Sequence, residues 1–388
     1  MSSPWVARGG RLTAVDAPAL VRRPPSTSSF VKSAAFAPDG STLLCTTEDG
    51  SLLLLPVDSQ LVQEQGFYDG MPAPPPSAVP DAVEIKAGEA VHDVAWRPNN
   101  ADSQRLFVAT MRDHPIHLYD ATTGAIIETF VAHNDLDEPE SATVLSFNLQ
   151  GTHVYAASKH HIAVFDLEQP GACPVARFST AKSGGRRPIV SALAFCPDYS
   201  GAYAAGTYSH SVSVYVESSG ATPVLELPKL GSAVTCLRWS PDGVNLWVGG
   251  RGSDDLICWD MRHTRSELGR VQRQCQTQQR YSFALDPWGE LLCTGSGSGD
   301  VLVYDTATFE LVWRESAQGA SMASNAVAMH PYSALLAVAH GHRHFPESDD
   351  DSEGEGECGG QRRGKKEEVE AVSSVKLWRL PFSRLSRF

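Results

Sequence analysis

Trp239-Ser240-Pro241-Asp242-Gly243, followed 18 residues after the proline by Trp259-Asp260, is the stretch that decides the fold. An apolar run stops at a Pro-Asp-Gly turn, and an alternating strand then closes on an aromatic-acid pair. The first half recurs at Phe36-Ala37-Pro38-Asp39-Gly40, Trp96-Arg97-Pro98-Asn99, Phe147-Asn148-Leu149-Gln150-Gly151 and Phe195-Cys196-Pro197-Asp198. It returns at Leu285-Asp286-Pro287-Trp288-Gly289 and Met329-His330-Pro331. From position 38 the steps are 60, 51, 48, 44, 46 and 44 residues.

The second half recurs in phase. Tyr119-Asp120, Phe165-Asp166, Tyr215, Trp259-Asp260 and Tyr304-Asp305 stand 21, 16, 18, 18 and 17 residues after the turn position. The strands leading to them, such as Ile116-His117-Leu118-Tyr119 and Val301-Leu302-Val303-Tyr304, alternate with the period of a half-buried antiparallel strand. A repeat of about 40–45 residues with these two signals is a four-stranded WD-repeat blade. Seven of them predict an all-β, seven-bladed WD-repeat β-propeller. The chain ends just after the third strand of the last blade, Val375-Lys376-Leu377-Trp378. The ring is therefore expected to be closed by an N-terminal strand from within Trp5 to Leu20, which would hide two sheet edges.

The reading divides the chain into an N-terminal segment, 1–29, that supplies the closing strand, and a propeller, 30–388. A Pro-rich loop, 69–80, is expected between blades one and two. In blade seven the turn-to-strand gap widens to 47 residues. The excess is acidic: Glu347 to Glu370 holds ten acids and four bases, a net −6 of the chain's −13. With almost nothing apolar in it, an insertion over 346–373 is expected to be disordered.

The negative balance argues against a uniformly basic nucleic-acid binder but leaves room for a local basic patch. The eight cysteines lie far apart with no C-x-x-C pair, which reads as reduced core thiols in a cytosolic or nuclear protein. Met1-Ser2-Ser3-Pro4-Trp5 shows no secretory signal, and no apolar run is long enough for a membrane span. A soluble intracellular protein is expected. No P-loop is present, and Gly295-Ser296-Gly297-Ser298-Gly299 reads as a turn between strands because no helix start follows it. His340, His342 and His344 share a strand face, and Asp349 to Asp351 form an acidic run. Neither has the further ligands or the spacing that zinc or calcium needs. The chain is read as having no metal, no cofactor and no catalytic site.

Particular stretches are more specific than the repeat. Arg112-Asp113-His114-Pro115-Ile116-His117-Leu118-Tyr119-Asp120-Ala121-Thr122-Thr123-Gly124, Ala132-His133-Asn134-Asp135-Leu136-Asp137-Glu138 and Leu256-Ile257-Cys258-Trp259-Asp260-Met261-Arg262 are three of them. Gln279-Arg280-Tyr281-Ser282-Phe283-Ala284-Leu285-Asp286-Pro287 and Gly341-His342-Arg343-His344-Phe345-Pro346-Glu347 are two more. Through them the chain, from about Phe30 to Trp378, resembles the telomerase Cajal body protein family, WD-repeat subunits of H/ACA small Cajal-body and telomerase ribonucleoproteins. The resemblance implies a nuclear protein, at Cajal bodies and telomeres with a cytoplasmic pool. It implies recognition of the CAB-box hairpin of small Cajal-body RNAs and telomerase RNA. As partners it implies H/ACA core proteins, telomerase reverse transcriptase and a chaperonin for folding, around a monomer that is not an enzyme. About thirty residues precede the first repeat, where animal members carry a long extension. A generic WD-repeat protein scaffold without direct RNA binding is the alternative.

Recognition of an RNA loop needs cations for phosphate and flat side chains for splayed bases. Propeller loops offer both at Arg112 and His114, at Tyr208 and His210, at Arg251, at Arg280-Tyr281 and at Arg343. Each arginine has a plainer reading as a solvated or salt-bridged surface residue. Arg186-Arg187 and the run Arg262 to Arg280, with Arg265, Arg270 and Arg273, are expected in inter-blade connections. The acidic insertion, which would repel RNA, is expected to point away from the RNA face or to tether basic proteins.

Overall fold

The computed structural model describes residues 5–7, 13–14, 29–58, 62, 82–98, 104–169, 171, 173–180, 188–275, 277–316, 323–341, 374–380 and 382–384. Seven four-stranded antiparallel sheets follow one another, and in the first six blades strands a to d are in sequence order. Blade one is Val31–Phe36, Thr42–Thr47, Ser51–Pro56 and Val83–Lys86. Blade five, which contains the deciding stretch, is Val234–Trp239, Asn245–Gly250, Asp255–Asp260 and Gly269–Gln272. In blade seven strands a to c are Ser324–Met329, Leu335–His340 and Ser374–Arg379, and Thr13–Ala14 pairs with strand c as strand d. The N-terminal strand thus closes the ring, as the sequence predicts. A second pairing joins the two ends of the chain, Trp5–Ala7 against Phe382–Arg384.

The a strands line the axis. In blades one, two, four, five and seven a β-bulge interrupts the a–b ladder at one equivalent position, after Val31, Val91, Val190, Val234 and Ser324. The bulged residue, six before the turn position, turns its side chain toward the neighbouring blade. Lys32 Nζ donates to the Val91 carbonyl (3.2 Å) and His92 Nδ1 to that of Ala142 (3.1 Å). Thr143, at the same position in blade three, donates to Val190 (2.6 Å), and Ser191 to Val234 (2.6 Å). Asn325 Nδ2 reaches from blade seven to Val31 of blade one (2.7 Å). Among the described residues, five of the seven junctions therefore carry the same side chain-to-carbonyl bond.

The Pro-Asp-Gly turns lie on the opposite face and stack turn on turn. Gly40 has φ +74°, and a Cβ there would sit 2.3 Å from Nε2 of His330, in the turn of blade seven. His330 Nδ1 accepts from the backbone N–H groups of Tyr332 (3.1 Å) and Ser333 (3.0 Å), so Nε2–H donates to the Gly40 carbonyl (3.2 Å). Burial holds this imidazole neutral, its pKa lowered to about 4, and burial does the same to His340 at the end of strand b.

One expectation is revised by strand order: the Pro-rich stretch separates strands c and d within blade one, not blades one and two. The segment 346–373, expected as an insertion in blade seven, falls between its strands b and c and is itself outside the described residues. Among the described residues no helix is long and apolar enough to cross a membrane. Six cysteines are buried free thiols, and Cys173 is exposed.

Two outcomes are expected. Deleting residues 1–14 removes both terminal pairings and should lower unfolding free energy by about 2–4 kcal/mol, a few ladder hydrogen bonds. An unchanged urea midpoint would show that the ring does not need its N-terminal strand. His330 and His340 have folded pKa values of about 4. Both lie below the ordinary value near 6.5, so their contribution is complete above pH ~6.5 and is lost as pH falls toward 4. Each should cost about 2 kcal/mol at pH 5 relative to pH 7.5. Urea titrations of the parent and His330→Gln at both pH values should show a shallower loss in the variant. Identical losses would count against the histidine.

Candidate functional site

Antiparallel order places the b–c turns and the d–a connections on one face of the ring and the a–b and c–d turns on the other. Arg112 and His114 occupy the b–c turn of blade two, Tyr208 and His210 that of blade four, and Arg251 that of blade five. Arg280 and Tyr281 lie in the d–a connection from blade five to blade six. Arg343 lies outside the described residues, in the b–c segment of blade seven. The sequence candidates therefore fall at connections of one face. The residues that flank the acidic insertion, Gly341 and Ser374, lie on this face too.

Five of the described b–c turns, all but that of blade three, carry a left-handed residue: Gly50 at φ +82°, Asp113 at +55°, His210 at +68°, Gly252 at +59° and Gly299 at +89°. Asp and His are among the residues that tolerate this region. His210 is thus first a turn residue. Arg112, Asp113 and His114 are exposed, with no ion pair among the described residues. Tyr208 is 42% exposed, and the Arg251 guanidinium lies over its ring, 5.9 Å from the centroid. Arg251 Nε also donates to the Gln278 carbonyl (3.1 Å). Tyr208, Arg251 and the 277–280 segment form one continuous arc of rim, and Arg112 and His114 stand apart from it.

Arg280 and Tyr281 diverge. Tyr281 is 1% exposed, its ring beneath the buried Arg273 guanidinium (5.6 Å) and its hydroxyl accepting from Thr277 (3.2 Å). It packs in the wall between blades five and six and offers no face for stacking, so it is withdrawn from the candidate surface. Arg280 reaches across the central channel to Asp93 on strand a of blade two, Nη1 to Oδ1 3.6 Å. Asp93 Oδ2 accepts the Leu145 N–H (3.0 Å). Burial raises the Asp93 pKa, against the pull of Arg280, the Leu145 N–H and Arg238.

The repeat lapses at this place. Thr235, at the bulge position of blade five, bonds back to Gly249 of its own blade (3.3 Å) and does not reach blade six. Arg273 fills the junction, Nη1 to the Tyr281 carbonyl (3.4 Å) and Thr294 Oγ1 (3.3 Å). The Ser282 hydroxyl donates to Val327 O (3.4 Å) and accepts from Val327 N–H (2.9 Å). Arg280 holds the position that is Val31, Val91, Val190 or Val234 elsewhere, so a cation replaces an apolar wedge.

The long basic run does not act as a unit. Arg262 and Arg265 lie in the c–d turn of blade five, on the far face, with Arg262 paired to Asp260 (2.7 Å). Arg270 pairs with Asp255 (2.9 Å) and with Glu267. Arg273 is buried. Arg186 and Arg187 lie outside the described residues. The sequence reading missed Lys32, Asp93 and Arg238, charged residues on innermost strands that face the channel. A charge inside an apolar run such as Val234-Thr235-Cys236-Leu237-Arg238-Trp239 is the signal that would have found them. Trp96 and Trp239, read as core, are half-buried ties whose Nε1–H groups donate to Ala35 (3.1 Å) and Ala194 (3.0 Å) of the preceding blade. Among the described residues no three His, Cys, Asp or Glu side chains are grouped to hold a metal.

The family model of the WD domain, G-beta repeat, matches residues 20–54. The chain is similar to telomerase Cajal body protein 1 of Homo sapiens, 33% identical over 328 residues, covering 82% of this chain and 58% of that protein. The protein of the same name from Bos taurus is 32% identical over 326 residues, covering 82% and 59%. The guanine nucleotide-binding protein negative regulator 1 of Schizosaccharomyces pombe is 28% identical over 290 residues, covering 71% of each chain. The chain spans about three fifths of the length of the first two relatives.

Truncation should separate wall from surface. Tyr281→Ala empties a closed site and is expected to cost about 3 kcal/mol of stability. Arg112→Ala should leave the unfolding midpoint unchanged. Equal, small effects in paired urea titrations would contradict the placement of Tyr281.

Proposed function

Across its propeller this chain belongs to the telomerase Cajal body protein family, and on that premise we propose that it is a non-catalytic RNA-binding scaffold. Its RNA is the CAB-box hairpin of small Cajal-body RNAs and telomerase RNA. Binding supports localisation of the ribonucleoprotein and the assembly or recruitment of telomerase at telomeres. The place of action is the nucleus, and the protein partners are H/ACA core proteins and telomerase reverse transcriptase.

The observation that carries this reading is that Arg112, His114, Tyr208, Arg251 and Arg280 all belong to connections of one face of the ring, with Tyr208 and Arg251 in direct contact. Cations set around an exposed aromatic suit a splayed loop better than a duplex, whose bases are not accessible to stacking. The seven-bladed scaffold brings shape and rigidity.

A second reading, a scaffold that binds proteins without RNA, is favoured by one observation. Outer-edge residues Ile126, Ile127, Val175, Val224 and Leu311 are about half exposed, a discontinuous apolar rim on successive blades. The likeness to a yeast regulator named for a guanine nucleotide-binding protein agrees with it.

Crosslinking and immunoprecipitation of the full chain from its native cells should enrich a small H/ACA-type RNA. Arg112→Glu with Arg251→Glu should weaken that RNA's affinity by about tenfold or more and flatten its salt dependence by about two phosphate contacts. Absence of any enriched small RNA would favour the protein-only scaffold.

A further inference from the structure

A central cavity of about 780 Å³ opens beside the b–c turns, and a second chamber opens on the far face. The two share Asp93, Arg238 and Arg280, so the Arg280–Asp93 pair lies at the waist between them. In a chain of net charge −13, the upper chamber is lined by four cations, Lys32, Arg238, Arg251 and Arg280, against two acids. Each acid already has a cation: Glu48 with Lys32 (3.3 Å) and Asp93 with Arg280 (3.6 Å). Among the described residues Arg238 and Arg251 form no ion pair with a carboxylate, and Arg238 acts on Asp93 only at longer range. The Arg238 guanidinium donates to the Leu237 carbonyl (3.3 Å).

A second observation concerns neutral groups. Asn325 lines the same chamber and is 1% exposed; its Nδ2 donates to the Val31 carbonyl, and its Oδ1 has no partner among the described residues. Gln279 Oε1, also in the lining, is buried and likewise has no partner among the described residues. Buried acceptors without donors are costly and rare. Phe30, Val91 and Ala323 give the chamber apolar walls.

We infer that the upper chamber of the channel is a binding site for one phosphorylated, nucleotide-sized group. Its volume falls in the range of small-ligand pockets, about 300–1,000 Å³. The anion meets Arg238 and Arg251, which gain charge-assisted bonds without leaving a carboxylate unpaired. The amino or hydroxyl donors of the ligand meet Asn325 Oδ1 and Gln279 Oε1. A purely anionic ligand would leave those two acceptors unmet. The chemistry is that of a free mononucleotide or of one unstacked nucleotide of a bound RNA. The site does not rest on the RNA reading, because a mononucleotide can be tested alone.

Calorimetric titration of the full chain with AMP, with adenosine as the uncharged control, tests it. One saturable AMP site is expected, with adenosine and Arg238→Met each about tenfold weaker and Arg265→Ala, on the far face, unchanged. Met keeps the aliphatic stem of Arg238; if that variant does not fold, Arg251→Met on the exposed turn takes its place. No saturable AMP binding, or parental affinity in the arginine variant, would overturn the site. A small hairpin RNA added to the AMP complex then separates the sources: displacement assigns the chamber to a nucleotide of the RNA, and simultaneous binding assigns it to the free ligand.

Discussion

One hydrogen bond, repeated round the ring, sets the frame. In five of the seven blades the side chain six residues before the turn reaches over the blade junction to a backbone carbonyl in the next blade, at Lys32, His92, Thr143, Ser191 and Asn325. The bulges are what make this possible, since an uninterrupted ladder would keep the residue in its own sheet. Polar side chains are required there on an otherwise apolar strand. Each blade is thereby held in register with the next, and the loops at both ends inherit fixed positions. Seven such blades close without free edges only because Thr13–Ala14 completes the last sheet.

The candidate site arises where that bond lapses. Between blades five and six the tie is replaced by a buried guanidinium, Arg273, held by the Tyr281 carbonyl and Thr294. The position that elsewhere carries a wedge of Val becomes Arg280, which crosses to Asp93. An ion pair in a channel is weaker than a packed junction when water reaches it, and it exchanges partners readily. The ring thus trades a structural contact for a charged one at the point where its axis opens toward the b–c turns. Function and departure from the repeat coincide, as expected when a local rule is broken in an otherwise consistent sequence.

Blade number, strand order and closure were legible because two signals recur in phase, and each has a physical cause. Gly40 follows Pro-Asp because any Cβ would strike His330 of the adjacent turn. The candidate turns were legible as turns, and topology then put them on one face. Tyr281 was misplaced because nothing in the sequence shows that this connection turns its ring inward beneath the buried Arg273 guanidinium while Arg280 faces the channel. Arg262 to Arg273 read as one basic run, yet turn, edge and core scatter it over three environments. Lys32, Asp93 and Arg238 were hidden because an axis-facing charge looks like an interruption of core until the a strands are known to line a channel.

The central claim is that the face bearing the b–c turns and d–a connections meets RNA. Amide hydrogen exchange of the full chain with and without a CAB-box hairpin measures this directly. Protection is expected at 112–115, 208–211, 251–254 and 277–282, with the a–b turns near Gly40 and Gly243 unchanged. Protection confined to the a–b and c–d turns, or none at saturating RNA, would contradict it.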